Sequence, residues 1–456
     1  MTRRWRCGLA LAIALAFAAC TSTPPAPPAP PQGLNAPMGP ASRHDARALI
    51  LVTMRNPDHA ALTGGADVST TPLPAAYAAL LRQWEAQYGL KRVADWALRS
   101  LPVRCMVFEV AAGRSRDGVL RELAQAPLVE TAQPLQEFNV LADEVPPRSL
   151  RSLPPEGAGP PSERPGGGPV ATPAYNDPYA KLQHGLETMG VAASHRWATG
   201  RGVRVAVIDT GLDSNHPELR GRVVVRRNLV DGDLERFDAD VHGTAVAAVI
   251  GAAANNAEGL VGVAPEVSFV ALKACWHDRP DYSGAACNSF TLAKALDVAS
   301  AQQVDVINLS LGGPADPLLS RLVARAQAQD IVVVGSVDRR HPQGFPAGTA
   351  GVIAADSDTR TRNASANADA NAGALRAPAD KVVSARPAGQ YDLYSGSSVA
   401  AAQISGVAAL VRQRKPHLSA AAMGALLAGT ADARTGSVNA CRALARVMEQ
   451  DEAGCR

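Results

Sequence analysis

From residue 203 onward the chain repeats one arrangement: a short unbroken apolar run, then an alanine-rich stretch long enough for a helix. The runs are 203–209, 267–275, 304–310, 330–336 and 351–355. Their apolar residues are continuous rather than alternating, which is how strands covered on both faces read. Strands separated by helices pair in parallel, so the expected fold is α/β with a doubly wound, mostly parallel sheet. In such sheets ligands bind beyond the carboxyl ends of the strands.

A composition break precedes this region. Residues 144–173 (EVPPRSLRSLPPEGAGPPSERPGGGPVATP) are rich in Pro and Gly and lack apolar periodicity, so they read as an exposed, protease-sensitive linker. Before it, strands are expected at 48–54, 93–96, 103–110 and 128–132, with helices at 75–88 and 118–125. That βαββαβ order describes a small α+β ferredoxin-like domain. With 456 residues, 46% hydrophobic and 19% charged, the chain has apolar material for more than one core.

The first residues read as an export signal. Arg3, Arg4 and Arg6 precede an apolar run at 8–19, too short for the roughly 20 residues a membrane span needs. Phe17-Ala18-Ala19-Cys20 resembles a bacterial lipobox, with Cys20 as the lipidated residue. The stretch TSTPPAPPAPPQ after it suits a polyproline II stalk. The expected division is signal peptide 1–19, stalk 20–45, small domain 46–140, linker 141–175 and main domain 176–456. The protein would then sit in the bacterial cell envelope, lipid-anchored to a membrane, or be secreted if Cys20 is not acylated.

The formal charge of +3 comes from that leader: without its three arginines, 42 basic side chains face 42 acids. No basic run interleaved with aromatics occurs, so no nucleic-acid partner is indicated. Cysteines stand at 7, 20, 105, 275, 287, 441 and 455. In an exported chain the close pairs Cys275/Cys287 and Cys441/Cys455 read as two local disulfides, leaving Cys105 unpaired. No CxxC or HExxH motif points to a metal.

Three residues in Gly-flanked elements carry the chemistry. Asp209 ends the first apolar run, and a buried carboxylate there needs a partner. His242 begins the small-residue helix VHGTAVAAVIGAA, and Ser398 begins another, SGSSVAAAQISGVAALV, after Gly396. Taken singly, the acid could form a turn, the histidine could be structural and the serine could be an N-cap. In the order Asp, His, Ser they match one of the known triad orders. Serine needs a base within reach, and the base needs an acid that fixes its tautomer.

With these motifs in hand, the chain from 176 to 446 resembles the subtilisin-like (subtilase) serine protease family. The carrying segments are VAVIDTGLDSNHPEL, HGTAVAAVIG, INLSLGG and SGSSVAAAQISGVAAL, with an opening, NDPYAKLQHGLETMGVAASHRWATGRGV, like a mature subtilase amino terminus. The resemblance implies Ser398 as nucleophile, His242 as general base and acid, and Asp209 as its orienter, acting on a peptide or protein substrate. It implies that Ser310, Leu311 and Gly312 form the strand that pairs with substrate. Residues 46–140 resemble a subtilase propeptide, a folding aid and intramolecular inhibitor. Cleavage is then expected between about residues 139 and 175. The family requires no cofactor, though calcium is common in it, and Asp213, Asp231, Asp233, Asp238 and Asp240 offer oxygen ligands.

The chain departs from the family at four places. Val241 replaces the Gly before the catalytic histidine. In the nucleophile motif Ser397 replaces Thr, and Ala402 replaces Pro. The fourth departure is the family's oxyanion Asn, which is absent: Asp338 is the nearest candidate by alignment, and Arg339 matches without a gap. Loss of such a donor costs about 10²–10³ in turnover, a magnitude taken from a member of this same family. The expected outcomes are a slower enzyme using backbone N–H groups, an acid-favouring one with Asp338 protonated, or one in which Arg339 donates. A pseudoprotease that binds peptides without cutting them is the rival reading.

Overall fold

The computed structural model describes residues 45–56, 59, 75–141, 175–277, 284–358 and 373–455. The signal peptide, Cys20, all but the last residue of the stalk and most of the 141–175 linker lie outside the described residues.

The N-terminal region folds as strand β1 (Leu49–Arg55), helix α1 (Ala75–Tyr88), β2 (Leu90–Ala97), β3 (Val103–Val110), helix α2 (Arg116–Leu123) and β4 (Val129–Pro134). The strands form one antiparallel sheet in the order β2-β3-β1-β4, the ferredoxin-like arrangement. Helix α2 starts two residues before the expected position because Ser115 caps it, its side chain accepting from Gly118 N. Both faces of the sheet are covered. Ile50, Val52, Met106 and Phe108 pack on Leu81, Trp84 and Leu120 of the two helices. Leu49, Leu51, Cys105 and Val107 belong to a second core shared with the main domain.

That main domain is built on a seven-stranded sheet. Its strands are β6 (Arg204–Asp209), β7 (Val223–Asn228), β8 (Ser268–Lys273), β11 (Val306–Leu309), β13 (Val332–Ser336), β14 (Ile353–Ser357) and β15 (Leu375–Ala377). Their order is β15-β14-β13-β11-β6-β8-β7, with every pair parallel. Helices α3 (Val241–Gly251) and α6 (Ser397–Arg414) cover one face, packing on Val205, Val207, Val332 and Val334. Helices α4 (Ser289–Ala301) and α5 (Pro317–Gln327) cover the other, packing on Ala206, Ile208, Ile307 and Val333. Neighbours along a strand thus serve opposite cores, which explains the unbroken apolar runs. The edge strands β7 and β15 escaped sequence reading: VVVRRN mixes polar residues in, and β15 has only three residues.

The N-terminal sheet lies on α4 and α5, and polar groups fasten it there. Asp297 of α4 accepts from Arg99 N (2.9 Å), Ser100 N (2.7 Å) and Ser100 Oγ. Asp316, the N-cap of α5, accepts from Gln133 Nε2 at 2.7 Å and from Leu319 N. Lys294 of α4 is buried under Trp96, 5.0 Å from its ring, and donates to Leu229 O. Burial lowers its pKa to about 8.

Beyond β4 the chain leaves its own sheet and joins a second one. Strand β5 (Glu137–Val140) lies antiparallel between β12 (Leu311–Gly312) and β10 (Ala286–Asn288), with β9 (Cys275–Trp276) on the far side of β10. Disulfides join Cys275 to Cys287 and Cys441 to Cys455. Cys105 is a buried free thiol whose pKa burial pushes well above its ordinary value.

Candidate active site

Parallel pairing carries β6 and β11 to a common rim, where Asp209, Ser310 and the starts of α3 and α6 meet. Asp209 is 1% exposed. Its Oδ1 accepts from Thr210 N (2.7 Å) and from His242 Nδ1 (2.8 Å). An ionised carboxylate cannot donate, so the proton of that second bond belongs to Nδ1, and Nε2 is left as the acceptor. His242 reaches Asp209 because Gly243 brings α3 against the turn after β6. A Cβ at Gly243 would lie 1.9 Å from Gly211 O. His242 Nε2 is buried and has no protein partner. His242 and Ser398 line one small cavity together with Val246, Tyr394 and Val399. An imidazole with an unpartnered accepting nitrogen, at one cavity with a serine, is a candidate base for that serine, since catalytic contacts left loose in a free enzyme tighten when substrate binds.

Gly396 turns the chain into α6 with φ 125°, a conformation that residues with a Cβ rarely adopt. Helix α6 then runs unbroken through Ala402, so the absent proline leaves it regular. The first turn is tied down from two sides: Ser397 Oγ donates to Val337 O (3.0 Å), and Ser310 Oγ donates to Ser398 O (3.1 Å). Behind Ser310 runs a buried polar chain, Asn308 Nδ2 to Ser310 Oγ and Ser405 Oγ to Asn308 Oδ1, each 2.9 Å. Sequence reading passed over Asn308 and Ser405, whose only signal was their place inside quoted motifs.

Ser310, Leu311 and Gly312 form one wall of a cleft, and β5 lies in it. Leu311 pairs with Val140 and Gly312 with Asn139, while Leu141 N donates to Ser310 O at 3.2 Å. The opposite wall is β10, which sequence reading missed altogether: Cys287 pairs with Phe138, and Val140 N donates to Ala285 O at 2.9 Å. Phe138 is fully buried, its ring edge-on to Phe345 with centroids 5.6 Å apart. Burial of such a ring stabilises by about 2–3 kcal/mol.

The oxyanion candidates behave differently from what the alignment suggested. Asp338 is 6% exposed, and its Cβ lies 2.4 Å from where a Cβ on Gly312 would sit. Burial would raise its pKa, but hydrogen bonds from Arg340 and His341, with the Arg340 charge, outweigh it and hold the carboxyl below its ordinary range. An ionised Asp338 accepts from Arg340 Nε (3.1 Å) and His341 Nδ1 (3.1 Å) and has no proton to give. The acid-favouring expectation therefore loses its donor. Arg339 is turned to Asp356, with Nη2 2.9 Å from the carboxylate, and its side chain is 47% exposed.

Nor do the five acids considered for calcium converge. Asp231 and Asp233 pair with Arg236, and Asp238 pairs with Arg226. Asp240 lies between Lys273 and His277 Nε2. Asp213 accepts from Asn215 N and Ala388 N. Cations and N–H groups fill the positions a metal would need, so this donor set does not fit calcium. Among the described residues no group of three or more His, Cys, Asp or Glu could hold a metal ion.

Residues 200–445 match the model of the subtilase family. An intracellular serine protease of Paenibacillus polymyxa is 35% identical over 246 residues, covering 51% of this chain and 73% of that protein. Thermitase of Thermoactinomyces vulgaris is 32% identical over 268 residues, covering 58% of this chain and 93% of thermitase. In three dimensions the chain resembles fervidolysin of Fervidobacterium pennivorans, a keratinolytic enzyme related to subtilisin, with TM-score 0.65 and 21% identity. That likeness covers 87% of this chain but 60% of fervidolysin, and it speaks for the fold alone. Family model, relatives and sheet topology agree: the chain belongs to the subtilase family and is a subtilisin-like serine protease.

Proposed function

We propose that the protein is an endopeptidase made as a zymogen, which cuts peptide bonds through an acyl-enzyme on Ser398. His242 takes the serine proton at Nε2 and later returns one to the leaving amine, while Asp209 holds the imidazole and stabilises its charged form. The observation that carries this reading is the 2.8 Å bond between His242 Nδ1 and Asp209, with Nε2 unpartnered and His242 and Ser398 lining one small cavity. With Asp338 ionised and Arg339 turned away, the oxyanion falls to backbone N–H groups at the start of α6, which suits a slower enzyme.

The same reading makes residues 46–140 an inhibitor whose tail, β5, fills the cleft as substrate would. The donation from Leu141 N to Ser310 O supports Leu141 as the residue before the bond cut in self-processing. Export and attachment to a membrane through lipidated Cys20 complete the proposal. Among the described residues no helix is long and apolar enough to cross a membrane. Acyl chains on Cys20 would contribute about 0.8 kcal/mol per buried CH₂.

Two measurements test it. A fluorophosphonate probe, applied at about pH 5 and pH 8, is expected to label the wild type and not Ser398→Ala. Amino-terminal sequencing is expected to find the wild type cut after Leu141 and Ser398→Ala uncut there. Absence of labelling at both pH values would leave a peptide-binding pseudoprotease in its place.

A further inference from the structure

The two walls of the cleft are braced unequally. On one side, β12 continues directly from β11 of the main sheet, and Ser310 beside it is held by the buried chain through Asn308 and Ser405. On the other side, β10 has three residues, and among the described residues its only partner strand besides β5 is the two-residue strand β9. Ala286 pairs with Trp276, and Cys287 with Cys275. A ribbon of two such short strands does not hold its register by hydrogen bonds alone. At the second of these pairs the chain carries a covalent link, the Cys275–Cys287 disulfide, with both cysteines fully buried. Cys287 is also the residue opposite Phe138, the fourth residue back when Leu141 is counted as the first. The cross-link therefore falls where the cleft grips the distant part of its occupant, away from Ser398.

We propose that the Cys275–Cys287 disulfide is a positioning device for extended substrates. It keeps β10 in the register that receives the second and fourth residues before the cleaved bond, and it takes no part in the chemistry at Ser398. Both cysteines act through β10, so they are positioning residues. The proposal rests on the reading of the cleft as a peptidase site.

The test uses the full chain and two chromogenic substrates: a single-residue leucine ester, too short to reach β10, and the tetrapeptide amide Phe-Asn-Val-Leu. In Cys275→Ala/Cys287→Ala, KM for the tetrapeptide is expected to rise at least ten-fold. Its kcat, and both constants for the ester, are expected to stay within two-fold of wild type. Cys441→Ala/Cys455→Ala is expected to leave all four values in place. If the first double variant does not accumulate, the second is treated with dithiothreitol and the same comparison made, so that one disulfide alone responds. Equal losses on ester and tetrapeptide, or an unchanged tetrapeptide KM, would overturn the proposal. A wild type that cleaves neither substrate would remove the peptidase reading beneath it.

Discussion

The two flanks of Ser398 are built on opposite plans. On the acid–base flank, Asp209 and His242 come from the end of a buried strand and the start of a buried helix, and the backbone of both is held by the core. On the oxyanion flank, Asp338, Arg339 and Arg340 come from the loop after β13, and each has been drawn into an ion pair: Arg340 with Asp338, and Arg339 with Asp356. The first flank keeps the family's residues, while the second has exchanged an amide donor for charges that satisfy one another. The contrast teaches where this fold tolerates change. A group whose direction is set by strand and helix packing cannot be replaced without moving the backbone, whereas a loop can rewire its side chains at small cost.

Mutations can break that comparison, and the largest effect belongs to the acid–base flank. Asp209→Asn is expected to lower kcat by about 10⁴, the order found when the triad aspartate of subtilisin, a member of this family, is removed. Steady-state hydrolysis of a peptide amide checks it, and a loss below ten-fold would strip Asp209 of its role.

On the other flank Asp338→Ala is expected to change kcat by less than ten-fold, because an ionised acceptor is not a donor to the oxyanion. A fall of about 10²–10³ in the same assay would mean that this loop supplies the donor after all.

The smallest effect on activity is expected from Glu218, in the loop that follows Asp209. Burial raises its pKa to about 7 against accepted bonds from Leu260 N, Tyr391 and Asn256. A carboxyl raised on folding binds its proton more tightly in the folded state. Stability therefore falls as pH rises from the unfolded value of 4.5 to about 7, and the penalty is complete above that. Glu218→Gln, in a Ser398→Ala background that prevents self-digestion, is expected to gain up to about 3 kcal/mol in urea unfolding at pH 8 and nothing near pH 4.5. In the active background kcat at pH 8 is expected to stay within two-fold. A larger change would show that the acid–base flank leans on this carboxyl as well as on its backbone.

Much of this was legible in the sequence, and the reason differs from part to part. Four of the five central strands showed as apolar runs because two cores share each of them, and Asp209, His242 and Ser398 stood out because the chemistry they suggest admits few residue types. The two disulfide pairs showed through their close spacing. Strands β10 and β12 left no apolar signature, since two or three residues beside a cleft need none. Side-chain direction was equally hidden: whether Asp338 donates or accepts depends on Arg340 and His341, and alignment to the family's asparagine is silent about both.

Two residues, Leu135 and Gln136, separate the end of β4 from the start of β5. So short a tether makes the N-terminal sheet a ruler. Lengthening it by one residue would bring Asn139 or Val140 opposite different partners and turn alternate side chains to the other face. On the zymogen reading proposed above, the small domain would measure out which peptide bond arrives at the serine.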